Sequence, residues 1–228
     1  MAKKTQTIVW DRTDGTRGPA PSHSRDEFAA AAMELASEGG LPSVSTRRIA
    51  QKLGVSQSAV YRYVSGADDI FDIMVDATVG EIDLDVPLRG EAIDDLIALA
   101  RRAKSVHVKY PWLLDLPVES MRVGPRTIDF LEYALRAMAS VDVPGNVKMQ
   151  TIAVLNALVQ QFARAEVSGG ESRQGRLIAQ VAYLHKIAEQ GSHPFLAAVL
   201  TPADVDHVPG DMFDQVLRRV LEGVLAGD

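Results

Sequence analysis

The 228-residue chain contains no cysteine, which excludes disulfides, thiolate zinc sites and cysteine nucleophiles and fits a reducing compartment. It has no apolar run near the ~18 residues that a membrane-spanning helix needs. Ile8-Val9-Trp10 is the one apolar run near the N-terminus, and it is too short for the core of a secretory signal. A cytoplasmic protein without a membrane partner is the expectation. Catalytic signatures are missing too: there is no His-Glu-x-x-His, no Gly-x-x-x-x-Gly-Lys and no Gly-x-Gly-x-x-Gly. Gly54-Val55-Ser56-Gln57-Ser58 lacks the last glycine of a hydrolase nucleophile elbow and follows a helical pattern, not a strand. The chain reads as a non-enzyme with no cofactor and no resident metal. A sensor in which His107 and carboxylates hold a divalent ion stays open, although no ligand spacing is diagnostic.

What is present is an uneven charge. The net of −6 argues against a nucleic-acid partner until its distribution is read. Residues 1–66 carry nine Lys/Arg and six Asp/Glu, a net of +3; the rest carries fifteen and twenty-four, a net of −9. Arg47, Arg48, Lys52 and Arg62 fall in a stretch, 45–63, with no acid at all. Docking on DNA depends on the field at the contact surface, so a basic patch on an acidic body is workable.

Residues 1–23, with Gly15, Gly18, Pro19 and Pro21, offer no periodic face and read as a flexible arm. Trp10 is the anomaly there: either the segment is a disordered leader, or it docks on DNA or a partner subunit. Ser24-Arg25-Asp26-Glu27 is a capping box opening the first helix. Phe28, Ala32, Leu35 and Ala36 form its stripe, and Gly39-Gly40 ends it. Ser45 caps a second helix with Ile49, Ala50 and Leu53 inward and Arg47, Arg48 and Lys52 outward. Gly54 makes the turn, and Ser56 caps a short third helix reaching about Tyr63, anchored by Val55 and Val60. After a break at 65–68, Ile70, Phe71, Met74 and Val75 begin a fourth. Beyond a lapse at 80–90, helices are expected near 91–109, 112–121, 125–140, 146–167, 172–190 and 211–226, with a shorter one over 194–200. No two-residue period persists, so the class is all-α, with a helix-turn-helix domain over 24–69 and a larger ligand-binding and dimerisation domain over 70–228.

The second helix, glycine turn and third helix make the helix-turn-helix pattern. Ala50 suits a close crossing and Gly54 a positive φ. Gln57, Ser58, Tyr61, Arg62 and Tyr63 supply hydrogen-bonding groups for an outward face. Spacing alone also allows a plain helical hairpin with a polar face. The stretch SRDEFAAAAMELASEGGLPSVSTRRIAQKLGVSQSAVYRYVSGADDIFDIMV resembles the DNA-binding domain of the TetR family of bacterial regulators, most closely over TRRIAQKLGVSQSAVYRYV. The resemblance implies DNA contacts by Thr46 and Arg47, base reading by Gln57, Ser58 and Ala59, and phosphate contacts or packing by Tyr61 and Tyr63. It also implies a lysine at the start of the fourth helix, where this chain has Ala67. Arg62 or the arm (Lys3, Lys4, Arg12, Arg17) is the candidate replacement.

In the larger domain, the run from Arg101 through Tyr110-Pro111-Trp112-Leu113 to Val123-Gly124-Pro125 resembles the tetracycline-repressor-like subgroup. That resemblance implies a ligand cavity among the middle helices and two late helices forming a four-helix bundle across a dimer axis. The residues point the same way. Ile152, Val154, Leu155, Leu158 and Val159 place apolar groups nearly all round one helix, and Phe213, Val216, Leu217, Val220, Leu221 and Val224 give another a wide stripe; such helices need cover on several sides. A homodimer suits a palindromic double-stranded operator. Candidate effector contacts are His107, Trp112, Tyr133, Asn156, Gln160, Phe162, Tyr183 and His185, polar or aromatic groups set in apolar helices. Each has a plainer role available, in the core, on the surface or, for Asn156 and Gln160, at the dimer interface. The expected function is a repressor that leaves its operator when a small molecule of unknown identity binds the larger domain. An architectural DNA-binding protein without an effector is the rival.

Overall fold

Three serines start the first three helices. The computed structural model describes residues 8–11, 23–116, 122–169, 171–200 and 212–226 and, among the described residues, contains helices and no strand. Ahead of α1 (Arg25–Gly39), Ser24 Oγ accepts from the Glu27 N–H at 3.1 Å and the Ser24 N–H donates to the Glu27 carboxylate at 2.7 Å. The capping box is closed, and that backbone hydrogen bond chiefly holds the Glu27 carboxyl below its ordinary pKa. Ser45 caps α2 (Thr46–Leu53) on the Arg48 N–H, and Ser56 caps α3 (Gln57–Val60) on the Ala59 N–H, both at 3.3 Å. Between them Gly54 has φ +67°, a left-handed turn that costs an L side chain ~1–2 kcal/mol.

α3 is shorter than the sequence predicts. After Val60 the N–H groups of Arg62 and Tyr63 reach back three residues, to Ala59 and Val60, the tightened last turn common at helix ends. Phe28, Ala32 and Leu35 of α1 pack with Ile49, Ala50, Val60 and Val64 in one buried cluster. The first four described residues also differ from a flexible arm. Val9 is fully buried in a short turn, Val9–Asp11, against α4, and the Arg25 guanidinium lies 5.5 Å from the Trp10 ring centroid. Burying one such side chain stabilises by about 1.5–3 kcal/mol, enough to pin a short tail. The rest of the expected arm, with Lys3, Lys4, Arg12 and Arg17, lies outside the described residues.

α4 (Ala67–Val79) starts three residues before Ile70 and runs on into the larger part of the chain. There α5 (Ala92–Lys109) lies along α7 (Gly145–Val167), both meet α10 (Met212–Leu225), and α6 (Pro125–Ala137) fills the space towards α4. Leu96, Leu99, Phe130, Ile152, Leu155, Leu217 and Leu221 form the shared core. The helix expected over 112–121 is a correction. Residues Pro111–Asp115 make a single 3-10 turn, Leu116 is extended at ψ 141°, and 117–121 lie outside the described residues. The extended Leu116 suits the following Pro117, since the α region is sterically disfavoured for a residue before proline.

The uncovered apolar surface extends beyond the two helices that the sequence singles out. In α7, Thr151, Ile152, Leu155 and Val159 are buried, while Ala153, Ala157, Gln160 and Gln161 face out. The open face of α7 is therefore mixed: Met149, 39% exposed, and two alanines lie on it beside the two glutamines. α10 buries Phe213, Leu217 and Leu221 and leaves Val216, Val220 and Val224 half-covered. Among the described residues the most exposed apolar side chains belong to α8 (Glu171–Glu189) and α9 (Pro194–Val199), with Ile178 64% exposed and Phe195 89%; Ile128 of α6 and Met212 of α10 are bare too. Among the described residues, no helix is long and apolar enough to cross a membrane.

Candidate nucleic-acid interface

α2, the Gly54 turn and α3 present one polar face. Arg47, Arg48, Gln57, Ser58, Tyr61 and Arg62 are exposed, and Thr46, Ala59 and Tyr63 are half-buried. The two tyrosines separate. Tyr63 turns inward: its hydroxyl donates to the His23 carbonyl at 2.7 Å and its ring stacks on Phe28 at 5.8 Å. Tyr61 points out, 56% exposed. Ser58 Oγ lies 2.9 Å from Ser56 Oγ. Gln57 Nε2 donates to Thr46 Oγ1 at 3.1 Å, linking the first residues of the two helices.

Two features differ from the basic patch read off the sequence. Lys52 is turned back onto α1, with its ammonium 2.6 Å from Glu34 and 3.6 Å from Glu38. The Glu34 hydrogen bond raises its pKa, and its charge is committed there. The start of α4 is acidic instead of basic, because Ala67 is followed by exposed Asp68 and by Asp69, which accepts from the Ser65 N–H and hydroxyl. Of the candidate replacements for the missing lysine, Arg62 is exposed on the α2–α3 face.

The candidate effector residues have varied surroundings. Tyr133 is buried; its hydroxyl donates to the Val86 carbonyl at 2.8 Å and accepts from Arg102 at 3.2 Å. Trp112 is buried with its Nε1–H unpartnered. Phe162 packs edge-on against Phe213 at 5.1 Å. His107 is half-buried; burial lowers its pKa, and Nδ1 lies 3.0 Å from the Ala103 carbonyl. Asn156 and His185 are half-buried, and Gln160 and Tyr183 are exposed. Two open clefts lie elsewhere. One of about 610 Å³ runs between α1, the end of α4, Tyr110 and Arg126; one of about 480 Å³ lies between the start of α5 and the end of α10. None of the candidates lines either one. Among the described residues no group of three or more His, Asp or Glu is placed to hold a metal ion.

The sequence reading missed a joint between α4 and α6. Asp76 is 1% exposed, and its Oδ1 accepts from the Thr127 N–H at 3.0 Å and the Thr127 hydroxyl at 3.2 Å. Gly124, at the N-cap of α6, has no side chain with which to cap it. A carboxylate from another helix does so instead, and a Cβ at Gly124 would collide with it. Arg126 extends the joint to α1 through Asp26 at 2.7 Å, and Arg122 reaches Asp72 of α4 at 2.5 Å. The one sequence signal was Val123-Gly124-Pro125 itself, a glycine directly before a helix-starting proline.

Residues 29–72 match the model for bacterial regulatory proteins of the tetR family, and residues 86–227 that for the tetracyclin repressor-like C-terminal domain. The chain is 27% identical over 233 residues to the HTH-type transcriptional repressor DrrR1 of Streptomyces coeruleorubidus, covering 97% of this chain and 84% of that protein. An HTH-type transcriptional regulator of Saccharopolyspora erythraea is 27% identical over 222 residues, with 96% and 91% covered. Among solved structures, ActR of Streptomyces coelicolor, a TetR family protein in complex with actinorhodin, superposes with a TM-score of 0.73 at 21% identity, covering 91% and 97% of the two chains. With the second family model spanning well over half of its length, the chain belongs to the TetR family: it is an all-α, DNA-binding transcriptional regulator with an N-terminal helix-turn-helix.

Proposed function

We propose that this regulator is a homodimeric repressor whose α2–α3 faces read a palindromic operator, and that a small molecule bound in the helical body releases it. The reading unit spans 24–69 and the body 70–228. The observation that carries the DNA half is the α2–α3 face, acid-free and held rigid by serine caps, with Arg47 and Gln57 able to reach base edges and Tyr61 and Arg62 the phosphates. Ser58 and Ala59 complete that surface, while Tyr63 serves by packing. The exposed apolar side chains of α8 and α9 meet a second copy of the chain, alongside Asn156, Gln160 and Tyr183. The protein works in the cytoplasm, where its DNA is, and has no catalytic role.

The release half is supported by two relatives, one named a repressor and one solved with actinorhodin, and by the α4–α6 joint. Trp112 Nε1–H is a buried donor without an acceptor, a position that a bound molecule with a carbonyl or ether oxygen would satisfy. His107, neutral when buried, Tyr133 and Phe162 belong to the same body. A movement of α6 on binding would carry α4 with it through Asp76, because that carboxylate holds the first turn of α6. Release requires that the effector bind the DNA-free form more tightly. A thermal-shift screen of small molecules tests this. A compound that raises the melting temperature should weaken operator binding in wild type but not in Asp76→Ala. A stabilising compound that leaves operator affinity unchanged in wild type contradicts release.

A further inference from the structure

We propose that Thr46 is a positioning residue for base recognition, its hydroxyl holding the Gln57 carboxamide in place before DNA arrives. The inference rests on the reading of Gln57 as a base-contacting residue. Resemblance to the family gives Thr46 a DNA contact of its own; the geometry assigns it work through Gln57 instead.

Thr46 and Gln57 are each the first residue of a helix, and neither is needed to cap one. Ser45 caps α2 through the Arg48 N–H and Ser56 caps α3 through the Ala59 N–H. Their side chains are thus left to meet each other, across eleven positions of sequence, at 3.1 Å. The two partners differ in stiffness. Threonine is branched at Cβ and holds few χ1 rotamers, and Thr46 is half-buried. Gln57 is exposed and unbranched, so without an anchor its amide samples many orientations. One hydrogen bond from the stiff partner confines the loose one.

A primary amide has two N–H donors and an oxygen acceptor. Thr46 engages one N–H. The other N–H and Oε1 remain on the same planar group, the donor and acceptor that match N7 and N6 of adenine. Thr46 thus holds the amide while leaving its recognition edge open.

The test uses the full-length protein and measures the affinity of each variant for three duplexes. These are the selected operator, the operator with the Gln57-dependent base pair exchanged, and a random duplex. Gln57→Ala identifies that pair. Thr46→Val, nearly isosteric but without the hydroxyl, should lower discrimination between the first two duplexes by about 3- to 10-fold, part of what a bidentate contact supplies. Binding to random duplex should be unchanged. Thr46→Ser should keep discrimination within about twofold of wild type, since the hydroxyl carries the effect. In a Gln57→Ala background, Thr46→Val should have no further effect. An equal loss on all three duplexes, or a full loss that persists without Gln57, overturns the proposal and makes Thr46 a direct DNA contact. If Gln57→Ala changes discrimination at no base pair, the base-reading premise itself has failed, and that result is told apart by Gln57→Ala alone.

Discussion

The α2–α3 face and the α8–α9 face are both uncovered, and their chemistry is opposite. The first presents Arg47, Arg48, Gln57, Ser58 and Tyr61 over a closed core of Phe28, Ile49 and Val60. The second presents Leu177, Ile178, Tyr183, Phe195 and Val199 to solvent, with little of its own chain behind it. A polar face is stable in water and can wait for its partner. Large apolar side chains grouped on neighbouring helices are seldom left bare by a folded protein and mark a protein contact. The contrast supports a division of labour in which one end meets a polyanion and the other a second subunit.

The largest expected effect breaks the apolar side. Ile178→Asp would bury an unpaired carboxylate in the subunit contact, at a cost of several kcal/mol. Sedimentation at micromolar concentration should show monomers, and operator affinity should fall by about 100-fold or more as the two half-sites lose their linked readers. A variant that stays dimeric would move the contact off α8. On the polar side the expected effects are smaller and selective. Gln57→Ala should cost about 1–3 kcal/mol at one base pair of the half-site while leaving the dimer intact in the same sedimentation run. A uniform loss over all sequences would reassign Gln57 to backbone contact. Smallest is Ser45→Ala, which removes the cap that orients α2 and should cost about 1 kcal/mol of stability, read as a lower melting temperature.

How far the sequence reached depends on whether the cause is local. Caps and turns are encoded within a few residues, so Ser24, Ser45, Ser56 and Gly54 sit where their spacing puts them. The exposure of Arg47, Arg48, Gln57 and Ser58 follows from the same periodicity. Lys52 is exposed as well, but its pairing was not legible, because its partners Glu34 and Glu38 lie on a different helix. Nor was the burial of Val9, which depends on a surface formed by α1 and α4 together. An apolar stripe says that a face wants cover but not which neighbour provides it. That is why α7, apolar in pattern, is covered by its own chain along one face only, whereas α8 is bare nearly all round. Pocket residues are the extreme case. Tyr133 and Trp112 lie in the buried core with Phe162 packed against it, and composition does not say which neighbours each will have there. The Asp76–Thr127 joint was invisible for the same reason, since it links residues 51 positions apart.

Selection of bound duplexes from a random pool, with the full-length protein, tests the central claim most directly. The account predicts enrichment of an inverted repeat, its half-sites about one helical turn or a multiple apart, with an A·T pair in each half whose enrichment disappears for Gln57→Ala. A pool that stays random, or a motif without two-fold symmetry that survives Gln57→Ala unchanged, would contradict it.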